Sequence, residues 1–171
     1  LEWAKATIED IVRAKVSIAQ VFKVLCNISL RSGVIDCFEM LIKNNIPIAV
    51  ISYGIAEFIE MIIPREYLSG VFAAEMILND GELTGKSLIH HSRDDRLIVG
   101  WQLQSIVLPS KKGWCSEFFA QLYGVSCENI LAVGDSGSDR NLGFLKGNRL
   151  GIAENEEHAD KIRPFMGDVV I

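Results

Sequence analysis

Two short apolar runs constrain this chain more than anything else in it. Residues 46–52, "IPIAVIS", and residues 129–133, "NILAV", are rich in β-branched residues and have no polar alternation. Strands covered on both faces read this way, and such strands belong to parallel sheets with helices packed over them. Pro47 sits at the mouth of the first run, where a missing N–H is tolerable. The second run leads straight into Gly134, Asp135, Ser136, Gly137, Ser138 and Asp139, so two carboxylates four apart arrive at one strand end.

Helical patterns separate the runs. "TIEDIVRAK" (7–15) and "SIAQVFKVLC" (17–26) each open with a hydroxyl residue and an acid or amide three positions on, the signature of a capping box. "VIDCFEMLIKNN" (34–45) carries one apolar stripe and stops at two Asn, which tolerate the left-handed conformation that ends helices. Further helices are predicted over 56–63, 117–124 with Gly124 as its stop, 139–147 and 156–165. Strands are predicted over 70–78 and 82–89 around an Asn79-Asp80-Gly81 turn, then over 149–153 and 168–171. The order predicts an α/β fold with a doubly wound, parallel, Rossmann-like sheet. Residues 90–107 match no template well.

With 171 residues, 49% hydrophobic and 23% charged, the chain can hold one well-cored domain plus a small accessory element. Its net charge of −5 argues against nucleic acid as a partner, because that binding rests on clustered cations. Cys26, Cys37, Cys115 and Cys127 are widely spaced and form no CxxC pair, the usage of free thiols in a reducing compartment. No apolar run reaches 18 residues, so no membrane partner is expected and a cytoplasmic location is the default.

In open α/β sheets ligands bind beyond the carboxyl ends of the strands, and three groups are predicted there. Asp135 and Asp139 suit a hard cation such as Mg²⁺, which takes one or two carboxylates plus waters and phosphate oxygens. The plainer alternative is that Asp135 starts a turn and Asp139 favours a helix N-terminus. Ser52, Tyr53 and Gly54 follow the first run, where a hydroxyl and turn N–H groups could receive an oxyanion, or where Ser52 merely forms a turn. Lys111 and Lys112 follow a predicted N-cap, Ser110, and so face the positive helix end at a cost of about 0.3–1 kcal/mol each. An anion beside them would offset that cost; solvated surface lysines are the alternative. His90, His91, Asp94 and Asp95 read as a solvated loop, and Trp3, Trp101, Trp114, Phe118 and Phe119 as packing residues.

Taken in order, "LRSGVIDCFEMLIKNNIPIAVISYG", "LNDGELTG" and "KKGWCSEFFAQLYGVSCENILAVGDSGSDRNLGFLKG" resemble the haloacid dehalogenase (HAD) superfamily of phosphohydrolases, nearest its phosphoserine phosphatase-like branch. The resemblance covers about residues 30–171. It implies that Ser52, with Tyr53 and Gly54, binds the substrate phosphate and that Lys112, followed by Gly113, is the catalytic lysine. It further implies that Asp135 binds Mg²⁺ and that Asp139 is the supporting acid of the same metal and catalytic site. Residues 1–30 are expected to be part of the helical cap and 31–171 the core. The implied activity is Mg²⁺-dependent hydrolysis of a small phosphorylated metabolite through an aspartyl phosphate.

Three departures qualify that expectation. Tyr53 stands where the branch usually has Gly, and Ser138 replaces a frequent Asn. No D-x-D motif, the family's source of the nucleophile, occurs anywhere in the 171 residues. In the family that motif ends a strand lying between the one leading to Ser52 and the one leading to Asp135. The chain also begins at Leu1 rather than Met, so an N-terminal segment bearing the nucleophile is expected to lie outside it. The rival expectation is a catalytically inactive HAD-fold protein with a binding or regulatory role. Residues 90–107 look longer than the matching connection in phosphoserine phosphatases, which leaves room for an added hairpin or a contact between copies in a homo-oligomer.

Overall fold

The computed structural model describes residues 2–81, 95–103, 112–143 and 148–171. The chain forms two compact units, Leu1–Val107 and Leu108–Ile171.

The first unit begins with helices α1 (Glu2–Arg13) and α2 (Ile18–Leu25). The capping box read from the sequence closes the start of α2: Ser17 Oγ accepts from Gln20 N–H, and Ser17 N–H donates to Gln20 Oε1 at 2.8 Å. Helix α3 (Val34–Lys43) ends as expected at the Asn pair, with Asn45 at φ 56°. Strand β1 (Ala49–Ile55), helix α4 (Ala56–Ile62), strand β2 (Gly70–Leu78) and strand β3 (Ile98–Leu103) complete the unit. Their sheet runs β1-β2-β3, parallel between β1 and β2 and antiparallel between β2 and β3.

Strand β3 falls inside the stretch that matched no template and adds an antiparallel partner to a sheet expected to be parallel. The predicted strand at 82–89 lies outside the described residues, while the turn before it forms, with Gly81 at φ 82° and its N–H on Leu78 O. Ile8, Ile18, Val21 and Leu25 from α1 and α2 share one core with Ile55, Met76, Leu78 and Ile98. Helices α1 and α2 therefore pack on this sheet, and the division between compact units falls after Val107. Backbone bonds from Ile18 N to Arg96 O and from Ile98 N to Val16 O tie the start of α2 to the approach to β3.

The second unit holds α5 (Lys112–Leu122), β4 (Ala132–Gly134), β5 (Arg149–Ile152), α6 (Glu156–Ile162) and β6 (Asp168–Val170). Strands β4-β5-β6 are parallel throughout, and Gly124, at φ 62°, lies just past α5 as its composition predicts. Where the pattern predicts a helix over 139–147, a 3-10 turn forms instead over Gly137–Asn141. It starts earlier because Ser136 and Asp139 make a capping box of their own. Residues 144–147 lie outside the described ones. Ala153, Ala159, Ile162 and Met166 form the small core of this unit, with Val169 against it.

Among the described residues β1 and β4 each pair along one edge only, β1 with β2 and β4 with β5.

Candidate functional site

The two halves of the predicted site lie in different units. In the first, β1 does not stop at Ser52 as expected but continues to Ile55. Its register against β2 shifts between Ile51, opposite Phe72, and Ile55, opposite Ala74, so four steps on β1 span two on β2. Residues 52–54 are thus a bulge, a device that re-aims side chains at a strand end. Inside it Gly54 N–H donates to Ser52 Oγ at 3.0 Å, and a Cβ on Gly54 would stand 3.2 Å from that oxygen. Tyr53, half-buried, occupies the middle of the bulge.

Helix α4 follows immediately and carries, at its second position, a residue that the sequence reading passed over. Glu57 is fully buried; its Oε1 accepts Met76 N–H from β2 at 3.1 Å, while Oε2 has no hydrogen-bond partner among the described residues. Burial pushes its pKa from 4.5 to about 8, with Glu75 and Glu60 adding to the rise and the two backbone bonds opposing it. Glu60, one turn on, is also raised by burial and by Glu75, and lowered by Arg65. An acid inside an apolar pattern, "IAEFIEMII", is the only trace of this in the sequence.

In the second unit Lys112 opens α5 and is 5% exposed. Its Nζ donates to Asp139 Oδ1 at 2.5 Å and reaches Ser138 Oγ at 3.5 Å. The anion needed to offset a lysine at a positive helix end is Asp139, 27 positions away in sequence. Lys111, the other candidate, lies outside the described residues, as do His90, His91 and Asp94.

Asp139, 6% exposed, is fully engaged. While Oδ1 takes Lys112, Oδ2 accepts Asp135 N–H at 3.2 Å, Ser136 N–H at 3.1 Å and Ser136 Oγ at 3.0 Å. Two glycines make room for this arrangement. A Cβ at Gly134 would fall 2.5–2.6 Å from Asp139 Cβ, Cγ and Oδ2, and one at Gly113 would meet Asn141 O at 2.8 Å.

Asp135 differs in kind. It is exposed at the end of β4, only its backbone is hydrogen-bonded, and its carboxylate has no partner among the described residues. A carboxylate with no partner among the described residues, on a backbone held by hydrogen bonds, fits a hard cation such as Mg²⁺, which needs only one or two such ligands beside water and phosphate. Asp139 was expected to share the metal, but the geometry spends its oxygens on Lys112 and on the backbone that carries Asp135. No group of three His, Cys, Asp or Glu side chains among the described residues is arranged to hold a metal.

The family model for pyrimidine 5′-nucleotidases (UMPH-1) matches residues 1–147. The chain belongs to that family. Solved structures extend the likeness of this pyrimidine 5′-nucleotidase family member to the HAD fold. A HAD family hydrolase from Salmonella enterica serovar Typhi superposes with a TM-score of 0.70 at 16% identity, covering 97% of this chain and 50% of that one. A phosphoserine phosphatase in its apo form gives 0.70 at 18% identity, covering 99% and 76%. A phospho-aspartyl intermediate analogue of phosphoserine phosphatase gives 0.67 at 19%, covering 99% and 73%. The chain thus spans half the length of the first of these and about three-quarters of the others. A search of curated proteins finds no match. The expected superfamily and α/β class hold, and no described helix is long and apolar enough to cross a membrane.

Proposed function

We propose that the protein containing this chain is a Mg²⁺-dependent phosphomonoesterase whose substrate is a pyrimidine nucleoside 5′-monophosphate. The observation that carries the chemistry is the buried Lys112–Asp139 pair, which also holds the Asp135 N–H, while the Asp135 carboxylate has no partner among the described residues. The family match supports the pyrimidine nucleotide as the small phosphorylated metabolite, in place of phosphoserine. Free thiols at Cys26, Cys37, Cys115 and Cys127 fit a reducing, cytoplasmic setting.

In this reading Asp135 holds the metal, which when bound neutralises phosphate charge and orients the ester. Lys112, anchored by Asp139, offers a fixed positive charge to the transferring phosphoryl group, and Ser52, whose oxygen accepts Gly54 N–H, donates its hydroxyl proton to a phosphate oxygen. Because the 171 residues contain no D-x-D motif, the attacking carboxylate of an aspartyl-phosphate route comes from outside them. These residues alone are accordingly expected to show no turnover. The same gap favours one rival, a non-catalytic HAD-fold protein that binds or regulates.

Phosphate release by the intact protein should be measured with pyrimidine and purine nucleoside monophosphates and phosphoserine, with Mg²⁺ and with EDTA. Release that needs Mg²⁺ and prefers pyrimidine nucleotides is expected. A preference for phosphoserine would overturn the substrate, and no metal-dependent release from any ester would leave the non-catalytic rival standing.

A further inference from the structure

His158 lies one turn into the last helix, in "NEEHADKI", a stretch that carries no catalytic motif. Its backbone is fixed by the helix cap, since His158 N–H donates to Asn155 Oδ1 at 2.9 Å. Both ring nitrogens are engaged as well. Glu154 N–H points to Nδ1 at 3.4 Å, and Nε2 lies 2.7 Å from the backbone oxygen of Asp135. A backbone N–H can only donate and a carbonyl can only accept. Nδ1 is therefore the acceptor and Nε2 carries the proton that it donates to Asp135 O.

The peptide joining Asp135 to Ser136 is then gripped at both ends. Its oxygen is held by His158 from α6, and its N–H by Asp139 Oδ2 from the 3-10 turn. The preceding N–H, that of Asp135 itself, goes to the same carboxylate oxygen. With both flanking peptides fixed, so are the backbone angles of Asp135 and the direction of its Cα–Cβ bond. This matters because the Asp135 carboxylate has no partner of its own among the described residues, so the backbone alone aims it.

We infer that His158 is a positioning residue that aims the Asp135 carboxylate at a divalent cation by holding the Asp135 carbonyl. The inference rests on the metal role given to Asp135 under the proposed function. Groups that orient metal ligands from behind typically change metal affinity by about 10–100-fold when removed.

The test uses the intact protein and Mn²⁺, read by electron paramagnetic resonance, as the probe for the Mg²⁺ site. His158→Ala should weaken Mn²⁺ binding by about 10-fold or more and speed amide exchange at Ser136. His158→Gln, whose amide can donate to the same oxygen, should recover most of both losses. A role in stability only would lower the melting temperature of His158→Ala and leave Mn²⁺ affinity unchanged, which overturns the inference while the metal site stands. Absence of Mn²⁺ binding by the unaltered protein overturns the metal role of Asp135 and this inference with it. Should His158→Ala fail to fold, ¹⁵N shifts of His158 in the unaltered protein decide: a proton on Nε2 with a coupling to the Asp135 carbonyl supports the clamp, and a proton on Nδ1 alone refutes it.

Discussion

The bulge at Ser52 and the turn at Asp135 are both strand ends in one chain, yet they are built on different principles. The Ser52 bulge is held by a local bond, hydroxyl to N–H two residues on, and by the absence of a side chain at Gly54. The Asp135 turn is held from a distance: His158 from α6 holds the Asp135 carbonyl, and Asp139 accepts Lys112 from α5 on one oxygen and Asp135 N–H, Ser136 N–H and Ser136 Oγ on the other. A local device tolerates change nearby but fixes little. A convergent one fixes a side chain closely and fails as a unit.

The largest expected effect follows from breaking the convergent site at its buried charges. Lys112→Met leaves Asp139 buried and unpaired, so stability should fall by about 3–5 kcal/mol, and any phosphatase turnover of the intact protein should fall by orders of magnitude. Denaturant melts and rate assays check both. Combining Lys112→Met with Asp139→Leu should recover part of the stability and none of the turnover. If the double variant is as unstable as the sum of the single ones, the two residues do not act as a pair.

Asp135→Asn attacks the same turn without touching its frame, because the Asp135 side chain takes no part in the hydrogen bonds that build it. Metal affinity and turnover of the intact protein should fall together, with the melting temperature nearly unchanged. A stable variant that still binds Mn²⁺ normally would remove Asp135 from the metal site.

Gly134→Ala sharpens the contrast with the bulge. The added methyl would stand 2.5–2.6 Å from Asp139, so overpacking should cost about 1–3 kcal/mol. Ser52→Ala, by comparison, removes one neutral acceptor from a partly buried N–H and should cost about 0.5–1.5 kcal/mol. Thermal melts of the two variants side by side test the ranking, and a larger loss for Ser52→Ala would reverse the view of which site is the more constrained.

The effect that varies with pH belongs to Glu57, in the helix that follows the bulge. Its pKa is about 8 in the folded chain against an ordinary 4.5, so the folded state binds the extra proton between those values. Its contribution is complete below pH 4.5, declines as pH rises toward 8, and changes no further above that. Glu60, Glu75 and Arg65 are the charges that act on this acid and its neighbour. Glu57→Gln, neutral at every pH, should flatten the fall in melting temperature between pH 5 and 8. An unchanged slope would show that Glu57 is ionised in the fold.

Most local signals in the sequence were readable, Thr7 excepted, which lies inside α1 rather than at its start, and distant ones were not. The Ser17–Gln20 box, the Asn44-Asn45 stop, the Gly81 turn and the Gly124 stop each depend on residues within a few positions, and each forms as expected. Strand β3 was hidden because "IVGWQL" follows a run of charges and pairs antiparallel to β2, which apolar content alone does not announce. The boundary of β1 was misjudged because a bulge keeps strand geometry through residues that read as a turn. Asp135, Lys112 and Ser52 could be singled out by motif. What could not be read was that Asp139 serves Lys112, 27 positions away, and that His158 reaches back 23 positions to Asp135.

The one-sided strands have a consequence for handling the molecule. Strand β4 is three residues long and pairs only with β5 among the described residues; Val133 within it is 51% exposed and Leu131 just before it 65%. An unpaired ladder with greasy side chains is a template for any extended peptide that meets it. The polypeptide of these residues is expected to self-associate in concentrated solution, with the 131–133 margin as the first point of contact.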